Sequence, residues 1–593
     1  MNREWLERNG PVGERGSVLL ISLLLLTVLS LVGGTFLILS NTEGRIATNQ
    51  GLAAQALYVA ESGAHTAYRE FAASNFRGRT HNGDGTIATA GLLTPQMFGA
   101  SLVRDDASNN GLQNEQNDGC FVWEWNPGDP GQSLTGSGLP EEFRFSLRPA
   151  SAAPDEDEYL LDVIGQVGQF RRRLQIQGYT EPAFSYALFS DGMLSEFVRG
   201  VDQHVQGKIH ANGDMFFRPS GTTLTIDSPA ITATGRMIRT TDAWGRDMFS
   251  GNTVRIMDTN GNYVDMAGGS PGTAMDSDNS AWTNDIPSDG IDGALELWGG
   301  IVRDGSLGAT HVDPPPIETM QVGGYYDSYA GIRIRAGDVQ LDGTGNNIAG
   351  WLGDAITEKS FYNQSLDQVV TVQELDVKKL HDSGNWPANG LIYSDVPLRL
   401  VNADELGGDL TVVANHEVYT KGNFNNVNKR AAAIISSGRI WHLSNAWSDD
   451  PAKTYGSTSG RQASNGTTVI NAAMVDGRPE VHEANFADLD GDGNPDDPAA
   501  GDAWANNDQM LESWGSSRTL QKRGSIVHLQ FADMADNVYN SGIQPSEVAW
   551  SKHAAYSPPY RDYGYDASLS GLAGQPPFAP LVSKLYLWQE VTP

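Results

Sequence analysis

From Gly16 to Thr42 the chain carries no charged side chain, and the run starts directly after Arg15. From Ser17 it reads SVLLISLLLLTVLSLVGGTFLILSNT, and Glu43 and Arg45 close it. A helix needs about 20 apolar residues to cross a bilayer core, so this run is long enough to span one. A secretory signal peptide has a shorter apolar stretch with a small-residue cleavage site behind it. Here the small residues precede the run and nothing like Ala-x-Ala follows Leu39. The segment is therefore expected to stay with the mature protein.

Residues 43–74 contain no proline, and Ile46, Ala53, Ala56, Leu57, Ala60, Ala64, Ala67 and Phe71 recur at three- and four-residue steps. That spacing marks one face of a helix. A single helix running from membrane into water, roughly 85 Å long at 1.5 Å per residue, is the simplest arrangement. Gly33-Gly34 is expected to be a soft point in it, since paired glycines weaken a helix interior. On these features alone, a plain single-pass anchor with a helical stalk fits equally well.

Gly16-Ser17 followed by VLLISLLLL resembles a prepilin peptidase site ahead of a type IV pilin core. The stretch SNTEGRIATN…AAQALYVAESGAHTAY, with Ala-Glu-Ser-Gly at 60–63, resembles the PilX N-terminal family of minor pilins. The resemblance covers residues 14–71. It implies cleavage between Gly16 and Ser17 and packing of the helix with other pilins or pseudopilins in a filament or its priming complex. Major pilins carry a glutamate at the fifth mature position, where this chain has Ile21. That departure is shared with PilX-like and K-type pseudopilins and implies a place at a filament tip rather than in its shaft.

In the leader, Arg3, Arg8 and Arg15 are offset by Glu4, Glu7 and Glu14, so the positive-inside signal is weak. Orientation follows from the resemblance: the peptidase acts at the cytoplasmic face, which places residues 44–593 outside the cytoplasm, with a single pass through the inner membrane. The 40 basic and 72 acidic side chains give a net charge of −32. A surface of that sign repels nucleic acid and anionic lipid but suits cations. Cys120 is the one cysteine, so no intramolecular disulfide can form. Within CFVWEW it is expected to be a buried strand residue.

The expected fold is α+β: a long membrane-spanning, pilin-like helix with a small strand unit, followed by a large all-β domain. The division is a leader at 1–16, the helix at 17–74, a strand region at 75–180, a β-rich domain at 181–445 and a C-terminal region at 446–593. Strand candidates in the small unit are Cys120–Trp125, Glu142–Leu147 and Tyr159–Tyr179, the last broken at Gly165 to Gly168. Phe170, Arg172, Leu174 and Ile176 alternate with Arg171, Arg173 and Gln175, as in a hairpin with one face on the helix. Beyond Pro182, short β-rich pieces recur between Gly, Asn and Asp turns at 205–217, 222–226, 229–235, 332–343, 390–402, 409–425 and 431–445. A sandwich and a solenoid both produce such strands. Pieces ending in Gly or Asn look like successive rungs, which favours a parallel β-helix over 183–445 with an insertion near 242–330. Several blocks beyond residue 390, such as GLIYSDVPLRLVN and AAIISSGRIWHLSNAW, also resemble the C-terminal region of large PilX-N-containing pilus proteins.

The strongest local motif is Asp488-Leu-Asp490-Gly-Asp492-Gly-Asn494-Pro-Asp496. Calcium takes six to eight oxygen ligands from a tightly turning loop. Asp488, Asp490, Asp492, Asn494 and Asp496 supply them, although Ala499 stands where an EF-hand carries its bidentate glutamate. A structural Ca²⁺ is the expectation, against an ordinary acidic turn. The match Gly268-Gly-Ser270-Pro-Gly272 is chance, because Pro271 lacks the N–H that a nucleophile elbow needs. His204, His210, His416 and His442 show no metal-ligand spacing and read as turn or strand residues. Trp244, Trp282, Trp298, Trp351 and Trp386 sit in or near polar loops, where indoles can stack on sugars or cover the ends of the fold. The sequence thus points to a non-enzymatic minor pilin-like protein with no catalytic residue. The alternatives are an envelope-anchored adhesin or carbohydrate-binding protein and, more remotely, a glycan-cleaving enzyme.

Overall fold

The computed structural model describes residues 14–77, 96–105, 120–149, 158–194, 202–217, 223–239, 253–267, 274–284, 286, 292–337, 339–363, 368–449, 462–477, 511–512, 514, 517–529 and 559–591. One helix, α1 (Glu14–Ala73), runs for 60 residues, about 90 Å at 1.5 Å per residue. Gly33 and Gly34 do not break it. Each glycine costs only about 1 kcal/mol in a helix interior, and the leucine-rich turns on either side propagate the helix cooperatively across the pair.

The buried face of α1 begins at Ala56. Ala56, Val59, Ala60, Ala64, Ala67 and Phe71 pack on Phe143, Phe145, Tyr159, Leu161, Val163, Leu174 and Ile176. Ile46, expected on this face, is exposed because the sheet does not reach that far down the helix. The small residues permit a close approach: a Cβ at Gly165 would lie 2.2 Å from the Ala60 nitrogen. The sheet consists of β1 (Val103–Asp105), β2 (Cys120–Trp125), β3 (Glu141–Pro149), β4 (Glu158–Val167) and β5 (Phe170–Pro182), each antiparallel to the next. Gly168, at φ 57, makes the β4–β5 turn. Leu174 and Ile176 face the helix, while Arg173 turns away to pair with the buried Asp162. Cys120 is buried, as expected. A sixth strand, β6 (Leu581–Val591), pairs antiparallel with β5 from Pro182 to Arg173. The sequence pattern groups these residues with the C-terminal region, and in the structure they lie beside β5.

The described residues between β5 and β6 form the body, built on open sheets. The largest has eleven strands, in the order 302–303, 231–233, 208–211, 186–190, 526–528, 473–476, 432–436, 410–414, 391–394, 332–335 and 339–342. All neighbours are parallel except the final pair. Facing it are an eight-stranded sheet over residues 356–565 and a four-stranded sheet over residues 203–265. From 391 to 443 successive strands alternate between the eleven- and eight-stranded sheets, and the strands from 466–471 to Tyr560–Tyr565 alternate in the same way. The chain enters the large sheet mid-width at 186–190 and steps outward to 302–303. It resumes at the far side at 332–335 and returns to 526–528, which pairs with 186–190.

The main core lies between the facing sheets, with Leu188, Ile209, Ile231, Ile392, Val412 and Ile434 opposite Leu224, Ile226, Leu398, Val418, Ile470 and Leu520. The outer face of the large sheet is buried too. Phe189, Tyr393, Val413, Ile435, Val475 and Val527 pack under a strap carrying Val312, Met320, Tyr326, Leu569 and Ala579. Burial on both faces explains the continuous apolar runs of these strands, since parallel strands covered on both sides have no polar face to alternate with.

Candidate functional site at the anchor helix and its junction with the body

The lower half of α1 stands clear of the rest of the chain: Val18 is 66% and Leu37 72% exposed. It is the one candidate span among the described residues, with a mean hydropathy of 2.4. Its polar atoms suit hydrocarbon. Ser22, Thr27, Thr35 and Thr42 each donate their hydroxyl to the carbonyl four residues back, at 2.7–2.8 Å, leaving the helix surface apolar. Gly16 and Ser17 fall in the first turns of α1.

At its other end α1 is tied to the body by residues remote in sequence. Asn75 Oδ1 accepts the Leu581 N–H at 2.9 Å, and Asn75 Nδ2 and Arg77 Nη2 donate to the Ala579 carbonyl. Tyr68 donates to Asp313 Oδ2 at 2.6 Å, and Asp313 exchanges two backbone hydrogen bonds with Ser583. Tyr159 and Ser583 hydroxyls meet at 2.7 Å. Burial, reinforced by Tyr159 and Asp313, pushes the Tyr68 phenol well above its usual range. The Asp313 hydrogen bond raises His311. One layer deeper, burial lowers His210 to about 4, although Asn212 Oδ1 accepts from its ring. Tyr68, Asn75, Arg77, Asp313 and Ser583 carried no signal in the sequence, because their partners lie up to 506 positions away.

The sequence-derived sites divide differently. The loop Asp488, Asp490, Asp492, Asn494 and Asp496 lies outside the described residues, as do Ser270 and Trp244. Among the described residues, no three His, Cys, Asp or Glu side chains gather as a metal site. Trp282 and Trp298 are buried, 6.1 Å apart, beside the 302–303 end of the large sheet. Trp282 donates its indole N–H to Asp304. They cover the fold and present no face to a sugar. His204 is an exposed strand residue, and His210 and His442 are buried strand residues, each bonded through Nδ1 to a threonine hydroxyl. None of these side chains converges with another as a catalytic pair.

No family model matches this sequence, and no curated protein matches it. Among solved structures, the chain aligns with the competence-associated pilin ComZ from Thermus thermophilus. The alignment covers 91% of this chain and 97% of that one, at 10% identity and a TM-score of 0.25. Likeness at that level carries no argument about fold or function.

Proposed function

We propose that this chain is a membrane-anchored, non-enzymatic, pilin-like subunit that acts in the assembly or at the tip of a type IV pilus-type filament. The observation that carries the reading is α1 itself. One continuous helix is apolar and exposed from Val18 to Leu39, and from Ala56 onward it packs on an antiparallel sheet. Such a helix can leave the bilayer and enter a filament without refolding. Processing after Gly16 would leave Ser17 as the first residue, and the partners are other pilins or pseudopilins, the prepilin peptidase and the inner membrane. N-terminal sequencing of the native protein should start at Ser17, and Gly16→Arg should retain the leader and abolish assembly. A mature start beyond residue 40 would refute the reading. In the adhesin alternative the same anchor never enters a filament, so absence of the chain from sheared filaments would favour it.

The body is best understood as one β-helix whose facing sheets are two sides of successive turns. Close stacking at the corners supports this. A Cβ at Gly235 would lie 2.8 Å from the Gly213 carbonyl carbon, and one at Gly477 would lie 2.3 Å from the Ser437 oxygen. Gly235 N–H donates to the Gly213 carbonyl at 3.1 Å, and Gly477 N–H to that of Gly438 at 3.1 Å. Corner glycines in register from one strand to the next are what stacked turns require. On this view the helix and its sheet form one unit, completed by β6, and the β-helix is inserted into it.

The loop Asp488–Asp496 takes a structural Ca²⁺ in this proposal, with Asp488, Asp490, Asp492, Asn494 and Asp496 as ligands. Its spaced carboxylates repel one another until a cation neutralises them, so calcium should stabilise the folded chain by mass action. Calorimetric titration showing no binding at millimolar Ca²⁺ would reduce the motif to an acidic turn.

A further inference from the structure

The body is inserted between two hydrogen-bonded neighbours. β5 ends at Pro182 and β6 begins at Leu581, and these two residues face each other in register. The chain therefore leaves the anchor sheet and re-enters it at one point, where Ala183 N–H donates to the Pro580 carbonyl at 2.8 Å. The C-terminus of α1 closes over that point. Asn75 and Phe76 hold φ of 55 and 54, a left-handed conformation unusual for a bulky residue, and Phe578 opposite holds φ 56. Strained backbone of this kind persists only where its surroundings fix it. Here the fixing groups are the Asn75 and Arg77 bonds to Ala579 and Leu581, Arg77 over the Tyr325 ring, and the Tyr325–Phe578 contact.

We propose that β6 is a latch: it seats on β5 and locks the end of α1 only when the body between them has folded to completion. The geometry supplies the coupling. Ser583 is held from one side by Tyr159 of the anchor sheet and from the other by Asp313 of the strap. The strap takes its place by packing on the outer face of the large sheet, over Tyr393, Val413 and Ile435. That face runs on from Ile435 through Val475 and Val527 to Phe189, so it is whole only once strands from both ends of the body have paired at 186–190 and 526–528. An anchor unit with a seated β6 is thus the signature of a finished body, and an unfinished body leaves β5 as a bare edge. Partners that read the upper half of α1 would meet an ordered helix end only on complete subunits.

The test is equilibrium urea unfolding of the full chain in detergent, followed by hydrogen exchange of residues 56–76 and β5 in parallel with the body strands 410–414 and 432–436. The latch predicts that both sets lose protection at the same urea concentration. Persistence of protection at 56–76 and β5 after the body has unfolded would overturn it. Gln175 and Gln589 face each other across β5 and β6, at the spacing of an antiparallel pair that a disulfide can bridge. In Gln175→Cys/Gln589→Cys with Cys120→Ala, oxidation should split the single transition in two and reduction should merge it again. A transition that stays single in both states would refute the latch. Deletion of Leu581–Pro593 should speed exchange in β5 at least tenfold, and unchanged β5 protection would equally refute it. Should that deletion prevent folding altogether, the oxidised and reduced double-cysteine protein decides by itself.

Discussion

The anchor sheet and the body solve the problem of burying strands in opposite ways. The anchor sheet is antiparallel and covered on one face by α1, so β5 alternates between Leu174 and Ile176 inward and Arg173 and Gln175 outward. The body's large sheet is parallel and covered on both faces, so strands such as Leu410–Ala414 and Ala432–Ser436 are buried at every position. The first arrangement depends on how closely one helix can approach. The second depends on each strand matching its neighbours along the whole stack. One region should therefore fail at single points of close contact, and the other through changes in its buried interior.

The largest expected effect tests close approach. Gly165→Val places side-chain atoms against the α1 backbone, where a Cβ alone would lie 2.2 Å from Ala60 nitrogen. A helix backbone cannot yield as a side-chain tip does, so the cost belongs at the upper end of overpacking, about 3 kcal/mol. Chemical denaturation should show the loss, with protection at residues 56–76 falling most. A variant as stable as the wild type would mean that the helix rides loosely on its sheet.

An intermediate effect belongs to the body. His210 is buried on the 208–211 strand, and burial lowers it to about 4 from an ordinary 6.5. Between those values the unfolded chain binds more protons than the folded one. Stability is therefore complete above about pH 6.5 and declines as pH falls towards 4. At about 1.4 kcal/mol per unit, roughly 2 kcal/mol is lost by pH 5. His210→Gln should flatten that part of a melting-temperature profile. An unchanged slope would move the acid sensitivity to other groups. The smallest effect is expected at Ile46→Ser, within about 0.5 kcal/mol, because Ile46 is exposed above the membrane segment and below the sheet. A large loss there would extend the helix–sheet contact beyond Ala56.

The two regions were also unequally legible. β2, β3 and the β4–β5 hairpin could be read as strand candidates, β5 from its period-two alternation and the turn from Gly165 and Gly168, because antiparallel neighbours adjacent in sequence write their pairing locally. The alanine face of α1 was legible from Ala56 onward for the same reason, whereas Ile46 was assigned to it because helical periodicity continues whether or not a sheet is there to cover it. The body's strands were recognisable as apolar pieces between turns, but not their order. Burial on both faces erases alternation, and nothing near residue 186 announces a partner at 526. Trp282 and Trp298 in a polar-looking insertion could have been exposed, and their burial follows from Asp304, 22 residues beyond Trp282, which accepts the Trp282 indole proton.

The sequence by itself determined the long apolar helix, the β-rich character of the chain beyond that helix and, with one cysteine, the absence of any intramolecular disulfide. These depend on composition and on spacings of a few residues, which local geometry converts directly into structure. Only the tertiary structure decided that Leu581–Val591 completes the sheet beside β5, which ends at Pro182, and that Asn75, Asp313 and Ser583 meet around it. Their meeting depends on the return path of the whole body, since hydrogen bonds across 506 positions follow from where folding brings the chain and from no pattern in the segments themselves.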